Sequence, residues 1–367
     1  MDESVNLAAR VVWGGFALGL VLGFVAARTN FCIMGAISDV INMEHWGRAR
    51  MWLLAMAVAM TGANLLHYFD LIDLTRSFYQ RPLLPWLSML LGGTLFGIGM
   101  TIAGGCANKN LLRLGGGSVR SLVVLVFLAI SAYMTIKGLF GQWRASYLDP
   151  VALDLASLGL RSQSLAELLS RLTGMPANSA LLAATGAVVV ALLIFVLKDK
   201  DFRVSGEQMA GGAILGLLVT AGWYLSGHIG FAEDADTLEM TYFATNSRTI
   251  ESLSFVAPAA YSLELLMLWT DQSLRMTFGI ATAAGVVLGS FIHAVTSRRF
   301  HWEGFASLED LRNQLLGGIL MGCGGVLAMG CTIGQGLSGI STLALGSFIS
   351  VAGIVVGSVA AMKWQER

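Results

Sequence analysis

One glycine-rich stretch near the end of the chain constrains the fold more than any other. Residues 317–339 read GGILMGCGGVLAMGCTIGQGLSG. The first part is apolar enough for a membrane helix, and the glycines around Gly330 and Cys331 predict that this helix breaks there. Irregular backbone at membrane depth survives only when it is buried in protein or lines a cavity, because lipid leaves its polar groups unpaired. The stretch therefore predicts a broken membrane helix beside an internal cavity.

The same pattern occurs 225 positions earlier. Residues 92–106 read GGTLFGIGMTIAGGC and match the later stretch at five glycines, one alanine and one cysteine without a gap. The matched cysteines, Cys106 and Cys331, carry most of the weight, because glycine is common throughout this chain. A weaker match relates residues 14–20 to residues 211–217. The sequence thus predicts a duplicated unit in which each copy presents a cysteine at a helix break.

The remainder of the chain has the composition of a polytopic membrane protein. Long, nearly uncharged runs recur from end to end, the mean hydropathy is +0.70 and only 13% of the residues are charged, against about 25% in soluble domains. The formal net charge is zero, and no basic tract suggests a nucleic-acid partner. We predict an all-α polytopic membrane protein with about nine transmembrane helices, short re-entrant half-helices and two related halves.

The apolar pattern also predicts the internal boundaries. Residues 1–140 form the first half, with broken helices at Cys32 and Cys106. Residues 141–206 contribute surface helices and one span. Residues 207–367 form the second half, with broken helices near Gly227 and Cys331. Within that half we expect residues 253–269 to cross the membrane and residues 231–251 to form an acidic loop outside it.

Three of the four cysteines, Cys32, Cys106 and Cys331, each begin a predicted half-helix, whereas Cys323 lies inside a predicted span. One interpretation is that cysteine serves there as a small buried apolar residue. The other is a row of neutral thiols along one path, which would suit a soft sulfur-containing anion, since the N-termini of half-helices favour anions. The chain has no CxxC pair, so we expect no disulfide framework, metal or cofactor.

Charged and polar residues surround these breaks. Lys109 and Arg113 follow Cys106, and Arg28 precedes Cys32; each could attract an anion or extend to the membrane surface. Gly105, Gly330 and Gln335 are expected to line the path, although Gln335 could instead pair with a freed carbonyl. Two further ionisable residues, Glu264 and His293, lie within apolar runs, and each could be a buried hydrogen-bonding partner or a proton carrier. We expect Asp39 to pair with a nearby arginine or to cap a helix.

These fragments resemble the YeeE/YedE family of prokaryotic membrane proteins. The resemblance rests on RTNFC at residues 28–32 with Asp39, on Gly105-Cys106, and on GCTIGQGLSG at residues 330–339, and it covers essentially the whole chain. It implies an hourglass-shaped protein that takes up thiosulfate or related sulfur compounds, with Cys32, Cys106 and Cys331 passing the ion inward through S–H···S contacts. It also implies the lipid bilayer of a bacterial inner membrane as the location, and a small cytosolic sulfurtransferase as a partner.

The resulting hypothesis is a membrane permease, not an enzyme, for thiosulfate or a similar reduced-sulfur anion. Two alternatives stay open at this point. The first is a transporter of selenium compounds, a role that some family members are assigned. The second is an oxidoreductase that relays sulfur covalently as a persulfide, against which the sequence offers no CxxC pair and no quinone or haem signature.

Overall fold

The computed structural model describes residues 2–234, 238–271 and 273–366. The helices in this part of the chain are α1 (Asp2–Arg28), α2 (Ile33–Met43), α3 (Gly47–Tyr68), α4 (Trp86–Ile102), α5 (Ala107–Gly115), α6 (Val119–Ile136), α7 (Leu139–Trp143), α8 (Leu165–Thr173), α9 (Ala177–Leu197), α10 (Lys200–Val204), α11 (Gly206–Tyr224), α12 (Val256–Met267), α13 (Phe278–Thr296), α14 (Leu308–Leu327) and α15 (Leu345–Gln365). Two short antiparallel pairs join β1 (Leu83–Leu84) to β2 (Leu153–Asp154) and β3 (Phe231–Glu233) to β4 (Met240–Tyr242).

Eight helical segments in the described chain are long and apolar enough to cross a membrane. They comprise α1 with α2, α3, α4 with α5, α6, α9, α11, α13 and α15. Helix α14 is also 20 residues long, about 30 Å at 1.5 Å per residue. Its first turn carries Glu309 and Asp310, which lowers its hydropathy, while its body packs between α4 and α6. We count α14 as the ninth span, which agrees with the predicted all-α polytopic fold.

The prediction that residues 253–269 cross the membrane is wrong. Helix α12 has 12 residues and is about 18 Å long, which is too short to span the hydrocarbon core of about 30 Å. It begins in the protein interior, where Val256 contacts Gly325 of α14, and ends near Lys137, which binds Glu264. Helix α12 is therefore a re-entrant half-helix.

The predicted break near Gly227 has a different form from the other breaks. Helix α11 ends in a wide π-helical turn at Leu225–Ile229, and the chain continues into strand β3 rather than into a half-helix. The half-helix of this region is α12, which follows Phe255 as α2 follows the pair Phe31-Cys32. Residues 231–251 include the β3–β4 hairpin, and residues 235–237 of this loop lie outside the described part of the chain.

Helices α4 and α14 cross through matching contacts. A Cβ atom added at Gly92 would lie 2.4 Å from the Ala328 amide nitrogen, and one at Gly317 would lie 2.6 Å from the Ala103 Cβ. The 225-residue shift relates Gly92 to Gly317 and Ala103 to Ala328, so each contact is the counterpart of the other. Because glycine lets the two backbones approach this closely, any side chain here would force them apart.

The other long helices exchange partners in the same way. Helix α4 packs on α15 while α14 packs on α6, and α1 packs on α13 while α11 packs on α3. In the described chain four spans (α6, α9, α11 and α13) lie between α4 and α14, and because this number is even the two copies run in opposite directions through the membrane. Such reciprocal packing is expected of an inverted duplication and supports the two predicted halves, whose boundaries stay a prediction.

The path of the chain defines two faces of the molecule. Helix α1 begins at the N-terminal face, which carries the loops formed by residues 69–85, 137–176, 230–234, 238–255, 268–271 and 273–277. Helix α15 ends at the C-terminal face, which carries loops 44–46, 116–118, 198–205 and 297–307. The half-helices α2 and α5 run from the interior towards the C-terminal face. Helix α12 and the turn at Gly334–Gly339 are oriented towards the N-terminal face.

Candidate functional site

All three candidate cysteines follow the same backbone break. Two residues before each cysteine, the chain adopts the left-handed conformation that commonly ends a helix. These residues are Asn30 (φ 50°), Gly104 (φ 66°) and Met329 (φ 58°). The next amide then donates to the carbonyl five residues earlier, as in a Schellman cap. These bonds are Phe31 N to Ala26 O (3.0 Å), Gly105 N to Met100 O (2.8 Å) and Gly330 N to Gly325 O (2.8 Å).

The three thiols lie at the start of the segments that follow. Cys32 is the N-cap of α2, and its Sγ accepts from the Gly35 amide at 3.3 Å. The Cys331 Sγ accepts from the Gly334 amide at the same distance. Cys106 is the N-cap of α5. The side chains are 6%, 0% and 2% exposed respectively, so bulk water does not reach them directly.

Two of these thiols are neighbours, and a residue of the other half joins them. The Cys32 and Cys106 side chains lie close to each other, and the Thr332 hydroxyl lies close to Cys106. Thr332 follows Cys331 directly in the chain. The break of the second half at Cys331 therefore adjoins the two thiols of the first half through Thr332, while the shared path stays a prediction.

Buried amides stabilise the broken backbone on both sides of this point. The Gln335 Nε2 donates to the Ala328 carbonyl at 2.5 Å, and the Asn110 Nδ2 donates to the Gly105 and Cys106 carbonyls at 2.9 and 3.1 Å. These bonds pair carbonyl groups that each helix end leaves free. Of the two roles considered for Gln335, the structure shows this pairing, which holds Gly330 and Cys331 in position.

A basic cavity lies between the Cys106 break and the C-terminal face. Its volume is about 180 Å³, and Lys109 and Arg113 line it. The Lys109 Nζ donates to the Asn30 Oδ1 at 2.7 Å, so the lysine links the first two breaks. Its other basic wall residues are His293, Arg299 and His301. Sequence reasoning singled out His293 without placing it here and missed Arg299 and His301, because all three come from α13 and its following loop, far away in the chain.

Arg28 does not line this cavity. Its side chain is exposed at the end of α1 and pairs with Glu207 of α11 at 3.3 Å. An exposed ion pair of this kind contributes little to stability. The structure therefore places Arg28 at the membrane surface, which was the second of its two predicted positions.

Two buried carboxylates have partners that account for their burial. The Asp39 carboxylate binds Arg48 through both oxygens, at 2.5 and 2.7 Å, as the sequence predicted. The Glu264 carboxylate accepts from Lys137 at 2.6 Å and from Tyr133 at 3.1 Å. Paired in this way, both carboxylates stabilise the half-helices α2 and α12, and neither faces the thiols.

Two connected cavities open on the N-terminal face. The outer one, of about 750 Å³, is lined by the basic residues Lys137, Arg248 and Arg275. The inner one, of about 230 Å³, shares Asn246 and Tyr261 with it and ends at Met329 and Gly330, just before Cys331. The thiols are therefore enclosed between cavities that approach them from opposite faces.

These features define a class of protein. Broken helices in an inverted pair of repeats, with the breaks meeting at a buried polar point in mid-membrane, are the architecture of secondary transporters. Residues 28–360 match the family model described as sulphur transport. The chain therefore belongs to this transport family, the YeeE/YedE family that the motifs indicated.

The comparison with characterised proteins gives the same result. The chain is similar to the thiosulfate transporter TsuA of Escherichia coli strain K12, with 26% identity over 360 residues that cover 95% of this chain and 92% of the relative. It is also similar to the thiosulfate transporter TsuA of Spirochaeta thermophila, with 23% identity over 357 residues that cover 95% and 97% of the two chains. The similarity thus extends over the full set of spans and breaks.

Proposed function

We propose that this protein takes up thiosulfate, or a closely related reduced-sulfur anion, across the inner membrane of a bacterium. The observation that carries the proposal is the set of three buried thiols at three equivalent helix breaks, enclosed between two cavities. The names of the two relatives support thiosulfate as the substrate.

The chemistry of the site fits such an anion. The terminal sulfur of thiosulfate is soft and polarisable, and a neutral thiol offers it a weak S–H donor of similar softness. A thiolate would repel a dianion, so the thiols act in their protonated form. The partial positive charge at the start of α5 compensates part of the anion's negative charge. Weak contacts at successive stations let the ion leave each station as readily as it arrives.

The geometry also defines the order of contacts. An anion that enters from the N-terminal face would pass the inner cavity to Gly330 and reach Cys331 first. It would then cross at Thr332 to Cys106 and Cys32, and leave through the basic cavity beside Lys109 and Arg113. A small cytosolic sulfurtransferase would receive it there.

The charge distribution indicates which face is cytoplasmic. Among the described residues, thirteen lysines and arginines lie on the C-terminal side and nine on the N-terminal side, and cytoplasmic loops carry the excess of positive charge. We therefore infer that the C-terminal face is cytoplasmic. Green fluorescent protein fused to the C-terminus should fluoresce, and alkaline phosphatase fused there should be inactive; the opposite pair of results would contradict this orientation.

Growth on thiosulfate tests the proposed function. The host is a bacterium without its own sulfate and thiosulfate uptake, with and without a co-expressed sulfurtransferase. The wild-type chain should restore growth, and Cys32→Ala, Cys106→Ala and Cys331→Ala should each abolish it. Cys323→Ala is the matched control, because Cys323 lies inside α14 away from any break. With equal membrane expression, normal growth of all three path variants would contradict the proposal.

A further inference from the structure

An unpaired carboxylate lies on the wall of the inner cavity of the N-terminal face. Glu251 lines this cavity together with Arg81 and Tyr261. Its Oε1 accepts from the Ser247 amide at 2.8 Å and from the Ser247 hydroxyl. Within the described part of the chain, no basic side chain forms an ion pair with it, unlike the buried carboxylates Asp39 and Glu264. Burial raises the pKa of the Glu251 carboxyl above its ordinary value.

The position of Glu251 is unfavourable for anion transport as long as the carboxyl is charged. The cavity ends at Gly330, directly before Cys331. A fixed negative charge on the wall of this small cavity, whose lining is mostly apolar, would repel a dianion, because a low-dielectric lining screens charge less than water does. A proton on Glu251 removes the repulsion and leaves an O–H donor that faces the anion.

The other groups around the cavity cannot perform this role. Tyr79, on the segment beside Arg81, donates to the Gly334 carbonyl at 2.9 Å, and burial raises the pKa of its phenol, so it remains protonated. Tyr261 of α12 also has a raised pKa because of burial. The Lys137–Glu264 ion pair lies behind Tyr261, and the Cys331 thiol lies beyond Gly330. Arg81 keeps its charge at every pH of interest.

Resting on the proposed function, we propose that Glu251 is a proton-binding site linked to the substrate, so that the protein takes up one proton at Glu251 for each sulfur anion bound on the N-terminal face. The balance is simple: a carboxylate and a proton give a carboxyl group, and no bond of the anion changes. By linkage the proton and the anion strengthen each other's binding by the same factor. The proton also lowers the net charge that enters against an inside-negative potential, where each elementary charge reduces accumulation about fiftyfold per 100 mV.

Binding measurements on the purified protein test this site. Thiosulfate affinity of the wild type should fall with rising pH, by up to about tenfold per pH unit above the pKa of Glu251. Glu251→Gln keeps a neutral side chain of the same shape, so its affinity should be independent of pH and match that of the wild type in acid. Glu239→Gln, an exposed carboxylate on the β3–β4 hairpin, is the control and should behave as the wild type.

Calorimetry of the wild type in two buffers of different ionisation enthalpy gives a second, variant-free readout. It should show about one proton taken up per thiosulfate at a pH above the pKa of Glu251. No proton uptake would overturn the inference, and so would a Glu251→Gln protein that keeps the wild-type pH dependence, since the dependence would then reside in another group. Absence of thiosulfate binding at every pH would instead contradict the proposed function itself.

Discussion

The breaks at Cys106 and Cys331 have the same backbone and opposite surroundings. After Cys106 the half-helix α5 carries Lys109 and Arg113 and borders a basic cavity. After Cys331 the corresponding segment, Gly334–Gly339, has no charged residue and is completely buried. Its backbone is fixed by side chains from other elements, including the Tyr79 hydroxyl on Gly334 O and the Trp52 indole on Gly336 O. The two copies therefore share the backbone break, but one borders a basic cavity and the other is buried and rigid.

The largest effect is expected where the two copies touch. Gly92→Val and Gly317→Val should each prevent correct folding, because the new side chain would overlap with the opposing helix, at a cost of about 3 kcal/mol or more. Size-exclusion chromatography of the solubilised protein should show loss of the monodisperse species. Gly186→Val on α9 is the control, since a Cβ atom there meets nothing within 4 Å. A severe defect in only one of the two variants would show that the two contacts are not equivalent.

A smaller effect is expected on uptake from the charge that distinguishes the two copies. Arg113→Gln should lower the rate of thiosulfate uptake about tenfold at low ionic strength, and less at high ionic strength, because salt screens the attraction of the cavity for an anion. Initial rates of labelled thiosulfate uptake at two salt concentrations measure this.

Ser338 occupies the position that corresponds to Arg113 in the second copy, and its hydroxyl donates to the Leu253 carbonyl at 2.7 Å. Ser338→Ala should leave the salt dependence of uptake unchanged. Equal salt dependence of Arg113→Gln and the wild type would show that the basic cavity does not attract the substrate.

The smallest effect is expected on stability from the two buried amides. Asn110→Leu removes the bonds to the Gly105 and Cys106 carbonyls, and Gln335→Leu removes the bond to the Ala328 carbonyl, which keeps the Ser350 hydroxyl as a donor. A buried carbonyl that loses its donor costs about 1–3 kcal/mol. Asn110→Leu should lower the thermal midpoint more, since Asn110 pairs two carbonyls and Gln335 pairs one. Thermal unfolding in detergent measures both, and a larger loss for Gln335→Leu would mean that the buried segment depends on its amide more than the charged half-helix does.

Much of the architecture was predictable because it depends on local chemistry. Apolar runs of membrane length identified the spans, and the paired glycine–cysteine patterns identified the breaks at Cys106 and Cys331. The span predicted for residues 253–269 was wrong because its apolar composition is the same for a buried half-helix as for a membrane helix. The structure distinguishes the two, because the helix has only 12 residues and begins in the interior beside α14. Near Gly227 the pattern did not indicate that a hairpin comes between the end of α11 and the half-helix α12.

The candidate site was also predictable only in part. The sequence by itself determined that three cysteines follow helix breaks, because glycine or asparagine lies within two residues before each of them and these residues favour the left-handed conformation or the flexible backbone at which helices end. Only the tertiary structure decided that Cys32 and Cys106 are neighbours, that Arg28 lies at the surface, and that Glu251 and the residues His293 to His301 face cavities. Contacts between segments far apart in the chain depend on how closely the helices pack, and this is set by the summed fit of many side chains, which no local pattern encodes.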